Sequence, residues 1–221
     1  MKINLILLAA GNSKRFNGNK LLANYNDKPI YMHIVEKVFN LKVNKVICVT
    51  QYEEIKKSLL NTNINVVMNN NSRLGISSSI KIGINFDKNA DGYMFMVCDQ
   101  PFISIETLKS VIDNFINGDK GIVCAGFGDT KGNPVIFSKK YINELLSLEG
   151  DTGGKKILNG YLNDLKVVNV HEKLELVDID TQEEFGKLAN FKCLHWFFKS
   201  FYKKFHKNCW LLSKNTVIYK K

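Results

Sequence analysis

An uncharged apolar run that breaks straight into a small, basic turn constrains this chain more than any other feature. Ile3 to Ala10 carries no charge and is followed at once by Gly11-Asn12-Ser13-Lys14-Arg15-Phe16-Asn17-Gly18-Asn19-Lys20. Such a run predicts a strand buried on both faces of a parallel sheet. After it, Ala10 and Gly11 leave no bulky side chain in the way of an approaching group, and Gly11 permits a backbone turn closed to most residues. Ser13 adds a hydroxyl, Arg15 a planar fork of donors, and Lys20 a mobile point charge, a set suited to a polyphosphate. The plainer reading is a glycine turn with two solvated cations. The spacing matches neither a Walker loop nor the Gly-x-Gly-x-x-Gly dinucleotide fingerprint, so a phosphate loop here is of another kind.

Further apolar runs alternate with helical patterns, which predicts a three-layer α/β domain with a mostly parallel sheet covered on both faces. The expected strands are Asn4 to Ala10, Lys45 to Thr50, Asn65 to Met68, Gly92 to Cys98 and Gly121 to Ala125, with later ones near Pro134 to Phe137 and Lys166 to Val170. Expected helices cover Ile30 to Asn40, Glu53 to Leu60, Ser77 to Phe86, Ser104 to Asn117, Lys139 to Ser147, Gly154 to Tyr161 and Thr181 to Ala189. In such sheets ligands bind beyond the carboxyl ends of the strands. The loop after Ala10, the turn at Asp99 and the Arg73 loop fall at or near that edge.

The net charge of +10 raises the question of nucleic acid, but its distribution argues against it. Residues 1–189 hold 23 Lys and Arg against 21 Asp and Glu, whereas residues 190–221 hold eight Lys and no acid. The expected division is therefore a nearly charge-balanced domain at 1–189 and a basic, aromatic tail at 190–221. The five cysteines show no Cys-x-x-Cys spacing and are odd in number, which disfavours structural zinc or a disulfide framework. The N-terminal run leads directly into the loop, and no stretch of eighteen apolar residues occurs, so a cytoplasmic, reducing location is expected.

Asp99 follows the run Tyr93-Met94-Phe95-Met96-Val97-Cys98, which puts its carboxylate at the sheet edge beside the loop. A hard carboxylate there suits magnesium, which commonly takes one or two carboxylates plus phosphate oxygens and waters; a turn-capping aspartate before Pro101 is the alternative. Asp178 and Asp180 are the candidates for a second oxygen ligand, alternating in a strand-like stretch and so pointing to one face. Asp180 or Thr181 could instead cap the helix that follows. Arg73 to Ser79 joins a cation, a glycine and three hydroxyls ahead of an apolar-periodic helix, fitting a base or ribose cradle as well as an ordinary cap. Ser13 lies outside a Gly-x-Ser-x-Gly elbow and the four histidines lack ligand spacing, so hydrolytic chemistry is not indicated.

Ala9-Ala10-Gly11-x-Ser13-x-Arg15-Phe16-x-Gly18-x-Lys20-Leu21-Leu22 resembles the signature of nucleotidyltransferases with a Rossmann-like fold, most of all the molybdenum cofactor cytidylyltransferases. Arg73-Leu74-Gly75-Ile76-Ser77-Ser78-Ser79, Cys98-Asp99-Gln100-Pro101, Gly132-Asn133-Pro134-Val135, Gly150-Asp151-Thr152-Gly153-Gly154 and Val177-Asp178-Ile179-Asp180-Thr181 follow in the same order, so the resemblance spans residues 3 to 189. It implies transfer of CMP from CTP to the phosphate of a molybdopterin-type acceptor, with Mg2+ and release of pyrophosphate. Arg15, Lys20 and Asp99 would then be catalytic. The nucleotide would contact Ala9, Ala10, Gly11, Ser13, Arg15, Lys20, Gly75, Ser78 and Asp99, the acceptor Asn133, Pro134, Asp151, Gly153 and Lys155, and the metal Asp99 and Asp180. Alanine at position 10 resembles the cytidylyl-transferring members, whereas guanylyl-transferring relatives commonly carry glycine. The family usually has histidine at Asn133 and arginine near Lys155 or Lys156; lysine keeps the charge there. Asp151 is equally a cap of the next helix. A molybdoenzyme is the implied recipient of the product.

Beyond residue 189 the resemblance ends. Phe191, Leu194, Phe198, Phe201 and Phe205 draw an apolar stripe at helical spacing with lysines mostly off it, a pattern suited to an anionic membrane surface, to docking on the chain's own domain or to a partner. Two other readings of the chain stand beside the first. One is a cytidylyltransferase acting on a sugar phosphate or methylerythritol phosphate; the other is a non-catalytic nucleotide-binding or membrane-docking protein, against which the presence of Arg15, Lys20 and Asp99 together argues.

Overall fold

The computed structural model describes residues 1–13, 15, 16, 18–184 and 186. In chain order its elements are β1 (Ile3–Ala9), β2 (Asn24–Tyr25), β3 (Lys28–Pro29), α1 (Ile30–Val38), β4 (Lys45–Thr50), α2 (Glu53–Leu59), β5 (Ile64–Met68) and α3 (Ile76–Phe86). There follow β6 (Gly92–Val97), α4 (Ile105–Asn117), β7 (Ile122–Phe127), β8 (Thr130–Ser138), α5 (Ile142–Leu146), α6 (Lys155–Gly160) and β9 (Leu165–Asn169). Seven strands form one sheet in the order β5-β4-β1-β6-β8-β7-β9, and β8 alone runs antiparallel to its neighbours. The expected α/β architecture with a mostly parallel sheet is the one observed.

The central strand β1 shows why the sheet is buried on both faces. Leu5 and Leu7 point to a cluster with Ile34, Val35, Ile55 and Leu108, from α1, α2 and α4. Ile6 and Leu8 point the other way, to Ile80 and Ile84 of α3, with Leu145 of α5 and Leu158 of α6 in the same cluster. Each fully buried aliphatic side chain contributes roughly 1.5–3 kcal/mol, so a strand apolar on both faces is held from both sides. The close fit of α3 depends on Gly83, where a Cβ would come within 2.5 Å of Ile6 Cγ2.

Pairing sets the edge where a ligand can bind. Parallel pairs Leu8↔Val97 and Ala9↔Thr50 end β1, β6 and β4 at one level. Cys98 N–H donates to Leu8 carbonyl at 3.3 Å, so Asp99 emerges beside Ala10 at the sheet's carboxyl edge.

Several expectations need correction. The β2–β3 hairpin turns at Asn26 and Asp27, both at positive φ (49° and 63°), the geometry of a tight hairpin turn; two-residue strands leave no periodic signal. The sequence places a strand near Pro134 to Phe137, but β8 begins at Thr130 and carries Gly132-Asn133-Pro134 inside the strand, with a register shift opposite Cys124 and Ala125 accommodating them. The helix expected at Lys139 to Ser147 opens with a 3₁₀ turn, Lys139–Tyr141, before α5. Asp178 and Asp180 lie in no strand: residues 177–180 follow a 3₁₀ turn, Lys173–Leu176, without regular structure. Among the described residues no helix is long and apolar enough to cross a membrane.

Met1–Asp180 forms one compact unit, and residues from Thr181 onward belong to a second. At the start of the second, Thr181 Oγ1 accepts from Glu184 N–H and Glu184 Oε2 from Thr181 N–H, a reciprocal cap that assigns the capping role to Thr181 rather than Asp180. The expected boundary at 189/190, the apolar stripe and the tail lie outside the described residues.

Candidate functional site

Loop 10–20 is shaped by side chains that the sequence reading passed over. Gln51, just after β4, donates through Nε2 to Ala10 carbonyl (2.9 Å) and Asn12 Oδ1 (3.1 Å), while its Oε1 accepts from Ser72 Oγ (2.8 Å). Tyr52 hydroxyl donates to Gly11 carbonyl. These bonds tie the loop to β4 and to the Ser72 turn, and they hold Gly11 and Ala10 open at the sheet edge. Ser13 sits at φ 47° and its Oγ accepts from Lys20 N–H at 3.3 Å, so the loop closes on itself. Asn19 caps the following 3₁₀ turn by accepting from Leu21 N–H, which fixes the base of the Lys20 stem.

Three predicted residues meet at the centre. Lys20 Nζ lies 2.6 Å from Asp99 Oδ2 and 3.0 Å from Asp180 Oδ1. Arg15 Nη2 lies 2.7 Å from the other Asp180 oxygen. The lysine side chain is only 11% exposed, whereas that of Arg15 is 71% exposed. Burial alone would lower the Lys20 pKa, but the facing Asp99 and Asp180 carboxylates outweigh it and hold the pKa above its ordinary value. For Asp180, burial works upward, and the bonds and charges of Lys20 and Arg15 more than reverse it. Both partners are therefore ionised at neutral pH. Asp99 Oδ1 differs: it is buried and has no hydrogen-bond partner. Such an atom is costly unless something arrives to use it.

The second motif joins the first by backbone contact. Gly75 has φ +87°, and a Cβ there would fall 2.3 Å from the Gly150 carbonyl carbon and 2.5 Å from Asp151 N. Only glycine allows this approach, which Ser77 N–H reinforces by donating to Gly150 carbonyl at 3.3 Å. The Arg73 loop and the Gly150 loop are thereby one wall. Of the three hydroxyls, Ser79 and not Ser78 lines the cavity above Ala10. Ser78 Oγ is turned back to donate to Gly75 carbonyl (2.8 Å). Asn69 Nδ2 donates to Ser79 Oγ at 2.9 Å, which leaves the Ser79 hydroxyl proton to serve a bound group.

Asp151 borders four cavities, and three of them hold the charged centre or the expected acceptor residues. One, of about 170 Å³, is lined by Ala10, Gly11, Lys20, Gly75, Ser79 and Asp99. A second, lined by Ser13, Arg15, Lys20, Asp99 and Asp180, opens along the basic loop. A third, of about 390 Å³, holds four of the five expected acceptor residues: Asn133, Asp151, Gly153 and Lys155. Pro134, joined to Asn133 by a cis peptide bond, is buried and lines none of the three. Ala9 is also fully buried, and it takes part only through its carbonyl, which accepts from Thr50 Oγ1 at 3.0 Å. Lys131, Gln100 and Asp178 join the third cavity without having been expected there.

The carboxylates 178 and 180 do not share a face. Asp178 accepts from Gln100 Nε2 at 2.8 Å in the third cavity, while Asp180 belongs to the basic loop. With no strand to impose a period of two, their alternation in sequence carries no geometric meaning. Ile179 N–H donates to Asp99 carbonyl at 3.0 Å, so the segment is zipped onto the Asp99 turn and delivers Asp180 to Lys20.

Among the described residues, no three His, Cys, Asp or Glu side chains group as a ready-made metal centre. Two carboxylates converging on one position, one with an unpartnered oxygen, nonetheless fit a hard cation that brings phosphate oxygens and water as its remaining ligands.

Comparison with known proteins bears on the fold and the family. The bifunctional protein GlmU of Francisella tularensis subsp. novicida is 26% identical over 202 residues, covering 82% of this chain and 44% of the relative, so the chain spans less than half the length of that protein. Rv0371c of Mycobacterium tuberculosis H37Rv superposes with a TM-score of 0.73 at 24% identity over 86% of this chain and 99% of that one. The same protein has been solved in complex with manganese (TM-score 0.73, 22% identity, 86% and 99% covered). A CMP:2-keto-3-deoxy-manno-octonic acid synthetase complexed with CTP superposes with a TM-score of 0.72 at 11% identity over 88% of this chain and 100% of that one. At these identities the solved structures show a common fold. The profile of the MobA-like NTP transferase domain matches residues 5–167, and the chain belongs to that family.

Proposed function

We propose that this chain transfers CMP from CTP to the phosphate of a molybdopterin-type acceptor and releases pyrophosphate, with Mg2+ as the metal. The observation that carries the reading is the Lys20 ammonium bridging Asp99 and Asp180, with Asp99 Oδ1 buried and unpartnered, where the cavity above Ala10 meets the one along the basic loop, and with Asp151 shared by both and by the third cavity. The base and ribose would rest against Ala10, Gly11, Gly75 and Ser79. The triphosphate would run along the Ser13–Lys20 loop, where Arg15 and Lys20 neutralise it. Asp99 and Asp180 would hold magnesium, which supplies positive charge against the oxygens of the reacting phosphorus. Lys155 and Lys131 would hold the acceptor phosphate, and Asn133 and Asp151 would orient its remainder.

In the reaction an acceptor phosphate oxygen forms a bond to the α-phosphorus, and the bond from that phosphorus to the bridging oxygen of the β-phosphate breaks. The electron pair leaves with pyrophosphate, and because the attacking phosphate oxygen is already anionic at neutral pH no general base is required. The chain's contribution is alignment of the two phosphates and fixed positive charge, the terms that dominate phosphoryl chemistry. CTP is preferred to GTP, a choice supported by the methyl group of Ala10 in a small cavity. The division into 1–189 and a separate basic tail at 190–221 belongs to the same reading, with the tail contacting an anionic membrane surface and a molybdoenzyme receiving the product.

A second reading keeps the chemistry and changes the acceptor to a sugar phosphate or methylerythritol phosphate. The polar residues Lys131, Lys155 and Asn133 in the mixed lining of the third cavity favour it equally. Purified protein with Mg2+ and each nucleoside triphosphate, assayed for pyrophosphate with molybdopterin, sugar phosphates and methylerythritol phosphate in turn, separates them. CTP consumed only with molybdopterin supports the first reading. Turnover with another acceptor moves the assignment to the second, and no turnover with any pair contradicts both.

A further inference from the structure

Lys20 occupies the place that the proposed reaction assigns to a metal. Its Nζ stands 2.6 Å from Asp99 Oδ2 and 3.0 Å from Asp180 Oδ1, on a side chain almost closed to solvent. An ammonium ion seated between two carboxylates satisfies their charge as a cation would, and a divalent ion brought to the same oxygens meets a like charge already in place. The lysine is also built to leave. Its backbone is pinned by Ser13 Oγ and by the Asn19-capped turn, so the four-carbon stem can swing from a fixed base. It lines both the cavity above Ala10 and the opening along the basic loop, so a triphosphate in that opening offers it several new anionic partners.

We propose that Lys20 is an exchangeable counter-cation: without nucleotide it fills the space between Asp99 and Asp180 and opposes divalent metal, and an arriving triphosphate draws it off and admits the ion. This rests on the reading of Asp99 and Asp180 as metal ligands. Nucleotide then binds before the metal or together with it, and the unpartnered Asp99 Oδ1 is the lone pair that the lysine leaves unserved. The same device prevents the site from holding a metal with no substrate to act on.

Manganese is the probe. Binding of Mn2+ alone to the full chain, followed by the loss of its free-ion magnetic resonance signal, is compared for wild type, Asp99→Asn, Lys20→Met, Lys20→Arg and Lys20→Met combined with Asp99→Asn. Lys20→Met is expected to bind Mn2+ more tightly than wild type by on the order of tenfold, a coupling of ordinary size for linked sites. Lys20→Arg, which keeps the charge, is expected to stay weak, and the double variant to lose the gain. Binding of CTP in the presence of a chelator completes the test: wild type binds, and Lys20→Met binds far more weakly. Equal Mn2+ affinity in wild type and Lys20→Met, with a fall on Asp99→Asn, overturns the exchange while leaving the ligand assignment intact. Indifference of Mn2+ binding to Asp99→Asn in either background overturns both. Should Lys20→Met not fold, tight Mn2+ binding by Lys20→Arg or by wild type without nucleotide overturns the exchange by itself.

Discussion

Two aspartates in this molecule are treated in opposite ways. Asp164, at the far edge of the sheet, has both oxygens served: Oδ1 accepts from Gly121 N–H at 3.0 Å, and Oδ2 accepts from Tyr141 hydroxyl and pairs with Lys140 Nζ at 2.7 Å. Burial raises its pKa, but the bonds from Lys140, Tyr141 and Gly121 outweigh that and hold it at about 2. Glu175 is similar, with Ser104 N–H and Thr107 hydroxyl on one oxygen and His171 N–H on the other. Asp99 has one oxygen on Lys20 and the other buried without a partner. An unserved buried acceptor costs about 1–3 kcal/mol, and a chain that closes Asp164 and Glu175 so fully has the means to close Asp99 too. Among the described residues Asp99 Oδ1 is the one buried carboxylate oxygen without a partner, and the proposed function takes it as the place that a ligand from outside serves.

The comparison breaks most visibly at Asp99. Asp99→Asn is expected to reduce CTP-dependent transfer by about 10²–10³-fold or more, as loss of a charge-stabilising group in a dry site does, while thermal unfolding stays close to wild type. A large drop in melting temperature with turnover retained would place Asp99 among the structural carboxylates.

Asp164→Asn should do the reverse. Its partners lose a charged acceptor, at a cost of about 1–2 kcal/mol, or roughly 2–8 °C in melting temperature for a chain of this size, and turnover of the folded protein is nearly unchanged. The effect also has a pH signature. A carboxyl held below its ordinary value stabilises the fold above that value and loses the contribution as pH falls through the folded pKa. The stability difference between wild type and Asp164→Asn should therefore be level from pH 7 to about 5 and shrink between about 4 and 2. A difference that grows in acid would contradict the bonding pattern described for Asp164.

Smaller effects follow at positions that touch neither carboxylate set. Competition binding is expected to favour CTP over GTP by roughly tenfold, the scale on which a pocket separates ligands by size; equal binding would remove the base assignment and leave the Asp99 argument standing. Deleting residues 190–221 should leave transfer nearly intact, because every candidate site residue precedes them, and should abolish salt-sensitive binding to anionic vesicles, to which each surface lysine adds about 1 kcal/mol. Loss of transfer on truncation would show that the tail belongs to the catalytic unit.

The sheet and the edge that bears the site were legible in the sequence because β1 and β6 are uncharged runs that stop abruptly, at Gly11 and at Asp99. Asp99 was legible for the same reason, as a charge placed where such a run ends, Lys20 as a cation of the basic turn that follows β1, and Asp180 through the resemblance of the motif that holds it. What the sequence hid was set by tertiary context. Nothing in a lone Gln51 after a strand tells that it will bind Ala10, Asn12 and Ser72 at once. Three consecutive serines cannot reveal which one a helix turns toward the cavity, and Ser79 rather than Ser78 has that place. The expected strand starts only at Pro134, because glycine and proline are poor strand formers, yet Thr130, Lys131 and Gly132 pair with β7 and the register shift takes up Asn133 and Pro134, so β8 begins at Thr130. Asp178 and Asp180 looked like strand partners only because alternation was mistaken for a strand.

The central claim is tested most directly by following release of pyrophosphate from CTP by wild type, Asp99→Asn and Asp164→Asn side by side, with molybdopterin and Mg2+, at a temperature where all three are folded. The account predicts release that requires both acceptor and metal in wild type, comparable release in Asp164→Asn, and near-complete loss in Asp99→Asn. Release that persists in Asp99→Asn, or that fails equally in both variants, would contradict the assignment of the open carboxylate to the chemistry.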